Sequence, residues 1–124
     1  MATLIERISN AMSRIGLEVK NLRGELPRSG VIVGSSGTIT ATAGRVILIW
    51  VGGAWGNSTT AATLTLSYNG ASVMTQGAKQ AAAADRVGLS LLGRVTAVAS
   101  ATVSVTTTGG TFYNPVILWM EVTR

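Results

Sequence analysis

The sequence predicts a mainly β protein, in which an N-terminal α-helix precedes an antiparallel β-sandwich of the jelly-roll kind. In the first two dozen positions the apolar residues recur at alternating steps of three and four, which is helical spacing. From about Ser29 onward, short runs rich in Thr, Val and Ala are separated by glycine-containing turns, as in all-β domains. The 124 residues therefore divide into a helix over 1–26, a hinge over 27–30 and a jelly-roll domain over 31–124.

The helix carries a narrow apolar seam typical of coiled coils. Its a and d positions are occupied, in order, by Ile5, Ile8, Met12, Ile15, Val19 and Leu22, with Leu26 at the exit. Isoleucine at both a and d shifts parallel coiled coils away from dimers, so we expect a trimeric stalk. Gly16 costs about 1 kcal/mol relative to alanine in a helix interior and makes three heptads marginal. Two alternatives remain: the helix packs on its own β domain, or its seam anchors on another protein.

Both ends of the helix are marked in the sequence. Thr3 and Glu6 form the T-x-x-E capping box, which predicts that the helix begins at Leu4. Gly24 favours a left-handed cap and Pro27 prevents continuation, so we expect the helix to end near this point.

The β region contains eight or nine predicted strands. They span 31–33, 38–42, 45–51, 63–68, 71–75, 87–92, 95–98, 102–107 and 116–123. Asn69-Gly70, between two alternating runs, is the strongest hairpin signal and predicts a type I′ turn. Further turns are predicted at Ala43-Gly44, Leu92-Gly93 and Gly109-Gly110, and this spacing favours a jelly-roll sandwich.

Two of these strands, 45–51 and 116–122, are apolar on both faces, which indicates that both faces are covered. One face should meet the opposite sheet, and we expect another copy of the chain to cover the other face. The candidate subunit-interface residues on these strands are Ile47, Ile49, Ile117 and Trp119. The alternative cover is a loop of the same chain.

Glu121 lies on the same face of its strand as Ile117 and Trp119. A carboxylate in that place requires a partner such as Arg45 or Arg94, or a position in water near the end of the molecule.

Composition argues against catalysis. The chain has no cysteine and no histidine, which removes the thiolate nucleophile, the usual general base and the commonest zinc ligands. After Glu25 the only acids are Asp85 and Glu121, and no G-x-S-x-G or S-x-x-K pattern occurs. We therefore predict a non-enzymatic protein that has no metal and no cofactor.

Charge and hydropathy indicate that neither nucleic acid nor membrane is the partner. The net charge is +5, but the basic residues of the β region are scattered and are not interleaved with aromatic residues. The longest apolar run, 46–51, is far shorter than a membrane span. Glu6 and Arg7 interrupt any secretory h-region, so we expect synthesis in a cytoplasm without a signal peptide.

The candidate contact residues are Trp55 and Asn57, in a predicted loop over 52–60, and Tyr113, in the predicted turn before the last strand. Aromatic and amide side chains on loops can stack on sugars or dock on proteins. The alternative is that they fill the end of the sandwich.

Several stretches resemble a known family. They are TATAGR at 40–45, the strand VILIWVGGAW, the hairpin SYNGASV and the apolar last strand. Together they look like the small C1q- or TNF-like jelly-rolls of tailed-phage virion proteins. The pattern over 8–23 is similar to the helices that precede such domains in phage fibres. The resemblance implies a homotrimer, a virion location and no catalysis, although the repeats or long shaft usual in fibres are missing.

The sequence thus favours a head decoration protein or short head fibre. Its helix would anchor to other virion proteins such as the major capsid protein, while the jelly-roll projects or cements neighbouring subunits. A tail-fibre or tail-tip protein that binds a host surface glycan is the first alternative. A free lectin-like binding module is the second.

Overall fold

A computed structural model describes residues 3–57, 59–79, 82 and 85–122 of the chain, and over 19–25 it describes the backbone only. It begins with helix α1, Leu4–Glu25. The amide of Thr3 donates to Oε2 of Glu6, and the amide of Glu6 donates to Oγ1 of Thr3, both at 3.2 Å. The predicted capping box and helix start are therefore confirmed, while the helix continues through Gly24.

Eight strands follow the helix. They are β1 (Ser29–Val33), β2 (Ser36–Ile39), β3 (Val46–Gly56), β4 (Ala62–Tyr68), β5 (Ala71–Ala78), β6 (Arg86–Thr96), β7 (Ala101–Thr107) and β8 (Thr111–Glu121). The predicted hinge is shorter than expected, because Ser29 and Gly30 already pair with β8.

The strands form two four-stranded antiparallel sheets, which we call sheet I (β1-β8-β3-β6) and sheet II (β2-β7-β4-β5). The chain pairs β1 with β8, β2 with β7, β3 with β6 and β4 with β5. This is one long hairpin of four strand pairs that has been rolled up. The contacts of β8 with β3 and of β7 with β4 close the roll. The predicted jelly roll is confirmed.

The tip of the rolled hairpin is the Asn69-Gly70 turn between β4 and β5. Asn69 has φ 52° and Gly70 has φ 81°, so both residues occupy the left-handed region that a type I′ turn requires. The predicted hairpin is confirmed, and its short loop sets the register of β4 against β5.

The predicted turn at Leu92-Gly93 is wrong, because both residues lie inside the continuous strand β6. Gly93 faces the core, where an added Cβ would lie 2.7 Å from Cγ1 of Val73 and 3.0 Å from Cδ2 of Leu66. The glycine therefore allows close approach of the two sheets and does not reverse the chain.

β3 and β8 are also longer than predicted. β3 runs to Gly56, so the predicted loop over 52–60 is partly strand. The register of β3 against β8 shifts between Gly52 and Ala54. Asn114, with φ 51°, lies opposite this shift, so the predicted turn at 112–114 is an irregularity within a strand.

The core fills the space between the sheets. Its members are apolar side chains that point inward from alternate strand positions. They include Ile39, Ile47, Ile49, Val51, Leu64, Leu66, Leu91, Val103, Val105, Ile117 and Trp119. Burial of this set holds the sandwich together, and the residues between them on each strand form the two outer faces.

Candidate functional site

The outer face of sheet I is apolar across all four strands. In the register of the sheet, Val31 lies beside Leu118, Leu118 beside Trp50, and Trp50 beside Leu92. These side chains are 65, 39, 39 and 54% exposed, in the same order. We call this set, together with Leu48 and Met120 of the next row, the apolar face of sheet I.

Polar residues lie at the margin of the apolar face. The row next to Trp50 reads Ser29, Met120, Leu48 and Arg94 across the four strands, so both of its ends are polar. An apolar centre with a polar rim is the usual anatomy of a protein–protein interface.

Trp50 forms the flat centre of this face. An added Cβ on Gly52 would lie 2.2 Å from Cη2 of Trp50, which places the indole ring directly over the glycine. A groove of about 210 Å³ beside the ring is lined by Leu48, Leu92, Leu118, Trp119 and Met120. Small-molecule and sugar sites combine an apolar surface with a few placed polar groups, and the side chains on this outer face offer none beyond the indole of Trp50.

The apolar face is large for a small protein. Five of its residues, together with Val33 at the end of β1 on the same side of the sheet, leave roughly 600 Å² in contact with solvent; the five are Val31, Trp50, Leu92, Leu118 and Met120. That is the upper end of what a typical monomer exposes, and most of the roughly 800 Å² that one partner contributes to a standard interface. The face therefore has the size of a protein-binding surface.

The four residues predicted to line a subunit interface face the other way. Ile47, Ile49 and Ile117 are fully buried between the sheets and Trp119 is 9% exposed. The strands were apolar on both faces, so alternation could not decide which face points outward. In β3 residue type carried the missing signal, since Ile is among the residues most often buried whereas Trp is enriched at interfaces. In β8 it did not, because Trp119 points inward and Leu118 outward.

The helix presents a second apolar surface. Ile5, Ile8, Met12 and Ile15 are all more than half exposed, as is Leu17 beside the seam. Every described side chain over 3–18 is exposed, so this part of the helix does not pack on its own β domain. Val19 and Leu22 belong to the predicted seam, but their side chains lie outside the described part of the structure.

The predicted contact residues divide into three cases. Trp55 is fully buried, and its Nε1 donates a hydrogen bond to the carbonyl of Gly109 at 2.8 Å, so it fills the end of the sandwich. Asn57 is exposed with φ 68°. Tyr113 is half-buried under the guanidinium of Arg86, which lies 3.9 Å from the ring centroid. Trp55 is therefore not a contact residue.

The outer face of sheet II has a different chemistry. One row across its four strands consists of Ser36, Ser104, Ser67 and Ser72. The next row contains Thr106, Thr65 and Thr75. These side chains point away from the core and carry hydroxyl groups but no charge.

Glu121 carries a charge and is nevertheless buried, at 2% exposure. Its Oε2 accepts hydrogen bonds from the amide of Arg28 at 3.0 Å and from Nη1 of Arg45 at 3.3 Å, and its Oε1 accepts from the amide of Thr42 at 2.6 Å. The prediction that Glu121 needs a partner such as Arg45 is confirmed.

The surroundings of Glu121 set its protonation state. Burial by itself raises the pKa of the Glu121 carboxyl. The amide hydrogen bonds from Thr42 and Arg28, the hydroxyl of Thr42 and the charge of Arg45 outweigh that effect and hold the pKa below its ordinary value of 4.5. Glu121 is therefore an ionised carboxylate near neutral pH, and both of its oxygens accept hydrogen bonds.

Within the described residues, no group of three or more acidic, His or Cys side chains is placed to hold a metal ion. No helix in that part of the chain combines the length and the apolar character needed to cross a membrane.

Comparison with known proteins finds no family model that matches the chain and no curated protein that is similar to it.

Proposed function

We propose that the chain is a non-enzymatic structural protein of a phage virion, which forms homotrimers and decorates or cements the capsid surface. The observation that carries the proposal is the apolar face of sheet I. This face exposes Trp50 and Leu118 at its centre and has polar residues such as Arg94 at its margin. An apolar surface of this size is stable in water when a partner covers it.

The best match for this face is a second copy of the same chain. Around a three-fold axis the residues of this face nearest the axis meet their own copies, and homo-oligomer interfaces are more apolar than other interfaces. The groove beside Trp50 lacks the polar side chains with which a glycan would be held, which favours a protein over a sugar at this position.

The helix supports the same function from the other end of the chain. Its exposed seam places Ile8 and Ile15 at d and Ile5 at a, the pattern that favours trimers over dimers. Arg7 and Arg14 are exposed at the c positions and suit an acidic partner surface. In the proposed assembly the helix is the anchor toward other virion proteins such as the major capsid protein, and the jelly-roll heads cover one another's apolar faces.

The phage location rests on the resemblance of the TATAGR segment, the hairpin and the helical pattern to phage virion proteins. Light scattering on the purified full chain tests the assembly. We expect three times the 12.7 kDa of one chain, and a monomer at micromolar concentration would contradict the proposal.

Negative-stain imaging of particles that carry a C-terminally tagged copy tests the location. We expect label distributed over the head. Label confined to the tail would replace the decoration function with the tail-fibre alternative, and particles without label would exclude both virion functions.

A further inference from the structure

Arg28 is the residue at which the helix and the jelly roll are joined. It directly precedes β1, and between it and the end of α1 lie Leu26 and Pro27, both exposed. Its amide donates to Oε2 of Glu121 at 3.0 Å, and its carbonyl accepts from the amide of Glu121 at 2.8 Å. Both backbone groups of Arg28 are thus bonded to one residue of the last strand.

The same carboxylate also holds the connection between β2 and β3. Oε1 of Glu121 accepts from the amide of Thr42 at 2.6 Å, and Oε2 accepts from Nη1 of Arg45. A single buried side chain on β8 therefore bonds to two other chain segments: the exit of the helix and the connection that contains Thr42 and Arg45. A carboxylate that must be desolvated needs all of these donors, which fixes their positions relative to one another.

We propose that Glu121 is a clasp that fixes the direction in which the helix leaves the jelly roll. The described side chains of the helix make no packed contact with the β domain, so packing does not set this direction. With Arg28 held at two points, the freedom of the helix is confined to Leu26 and Pro27. When the hydrogen bonds of Glu121 are lost, Arg28 and the first residues of β1 become part of the connection between the helix and the jelly roll. The jelly roll then rotates more freely relative to the helix. The inference does not depend on the proposed virion function.

Limited trypsin digestion of the full chain tests the clasp, because Arg28 is itself a trypsin site. The readout is the rate at which the fragment beginning at Ser29 forms, measured by mass spectrometry in native buffer. In Glu121→Gln we expect this rate to rise at least about tenfold, since cleavage follows the population of the locally opened state. Cleavage after Arg94, in the middle of β6, requires the domain itself to open and is the internal control: the Ser29 fragment should accumulate with this bond still intact.

The control separates a clasp from general stability. If the bond after Arg94 is cut together with the bond after Arg28, so that no intact Ser29 fragment accumulates, Arg28 is released only when the whole domain unfolds and the proposal is overturned. An unchanged rate after Arg28 overturns it as well. Glu121→Asp, which keeps the charge but withdraws the carboxylate by one methylene, is the second variant if the Gln variant does not fold. It should also release the Ser29 fragment faster while sparing the bond after Arg94.

Discussion

The two sheets of this jelly roll share one core but have outer faces of opposite character. On sheet I the central row is Val31, Leu118, Trp50 and Leu92, whereas on sheet II the corresponding row is four serines. Folding requires the inner faces, and those are apolar in both sheets. The outer faces are free of that requirement, so their difference reports what each face contacts. Sheet I has the composition of a surface that a partner covers, whereas sheet II has the composition of a surface that remains in water.

The largest expected effect comes from a charge at the centre of the apolar face. Leu118→Glu should convert the proposed trimer to monomers. An unpaired buried carboxylate costs about 3–5 kcal/mol, which weakens association by at least about 100-fold. Light scattering over a concentration series measures the effect.

Thr65→Glu is the matched control for that variant. Thr65 occupies the corresponding outward position in β4, a central strand of sheet II, and is flanked by Thr75 and Thr106. This variant should keep the wild-type mass. A folded Leu118→Glu protein with wild-type mass, or equal losses in both variants, would remove the distinction between the two faces.

A second prediction concerns the buried charge inside the sandwich. Glu121→Gln should lower the free energy of unfolding by about 3 kcal/mol, because glutamine keeps the shape but removes the negative charge to which Thr42, Arg28 and Arg45 donate. Urea denaturation measures the change. Asp85→Asn neutralises an exposed acid and should change stability by less than about 0.5 kcal/mol. Equal effects of the two variants would show that burial of Glu121 is unimportant.

The stabilising effect of Glu121 should also depend on pH. Its folded-state pKa lies below the ordinary value of 4.5, so the stabilisation is fully present above pH 4.5 and is lost as the pH falls through the folded-state pKa. The stability difference between wild type and Glu121→Gln should therefore be constant from neutral pH down to about 4.5 and then shrink. Urea denaturation curves at stepped pH values test this, and a difference that grows in acid would contradict it.

The sequence predicted the features that short-range chemistry decides. The capping box at Thr3 and Glu6 and the type I′ turn at Asn69-Gly70 each depend on residues within four positions, and both are confirmed. The turn predicted at Gly93 is wrong because this glycine makes room for the side chains of Val73 and Leu66, which are distant along the chain.

The candidate site was harder to predict than the fold. In β3 and β8 both faces are apolar, so the period of two could not tell Ile49 from Trp50 as the outward residue. Arg45 was foreseeable as a partner of Glu121 because it carries the opposite charge. The amides of Arg28 and Thr42 were not foreseeable. Every residue except proline has a backbone amide, and residue type does not show which amides donate to a given carboxylate.

A third stability prediction tests the shared core beneath the two outer faces. Gly93→Ala should destabilise the domain by about 2 kcal/mol, because its Cβ would meet Val73 at 2.7 Å between the sheets. Gly88→Ala in the same strand is the matched control, as an added Cβ there meets nothing within 4 Å. Thermal unfolding measures both variants. Equal losses would show that strand propensity, rather than inward packing, explains the glycine.

The smallest effect is expected from the helix. The double variant Ile8→Asn and Ile15→Asn should weaken self-association by only about tenfold, roughly 1.4 kcal/mol, because a three-heptad seam that contains Gly16 is marginal in isolation. The double variant Arg7→Asn and Arg14→Asn, on the exposed c positions, should leave the mass unchanged. The far-UV β signal should be retained in both, since the described helix side chains do not pack on the β domain.

This experiment ranks the two apolar surfaces against each other. If the helix variant dissociates the protein as completely as Leu118→Glu, the seam rather than the sheet face holds the subunits together, and the apolar face of sheet I must then meet a different protein. If the helix variant keeps its mass but no longer binds the particle, the seam is the anchor. The sheet face then accounts for self-association, because the subunits stay together when the seam is lost.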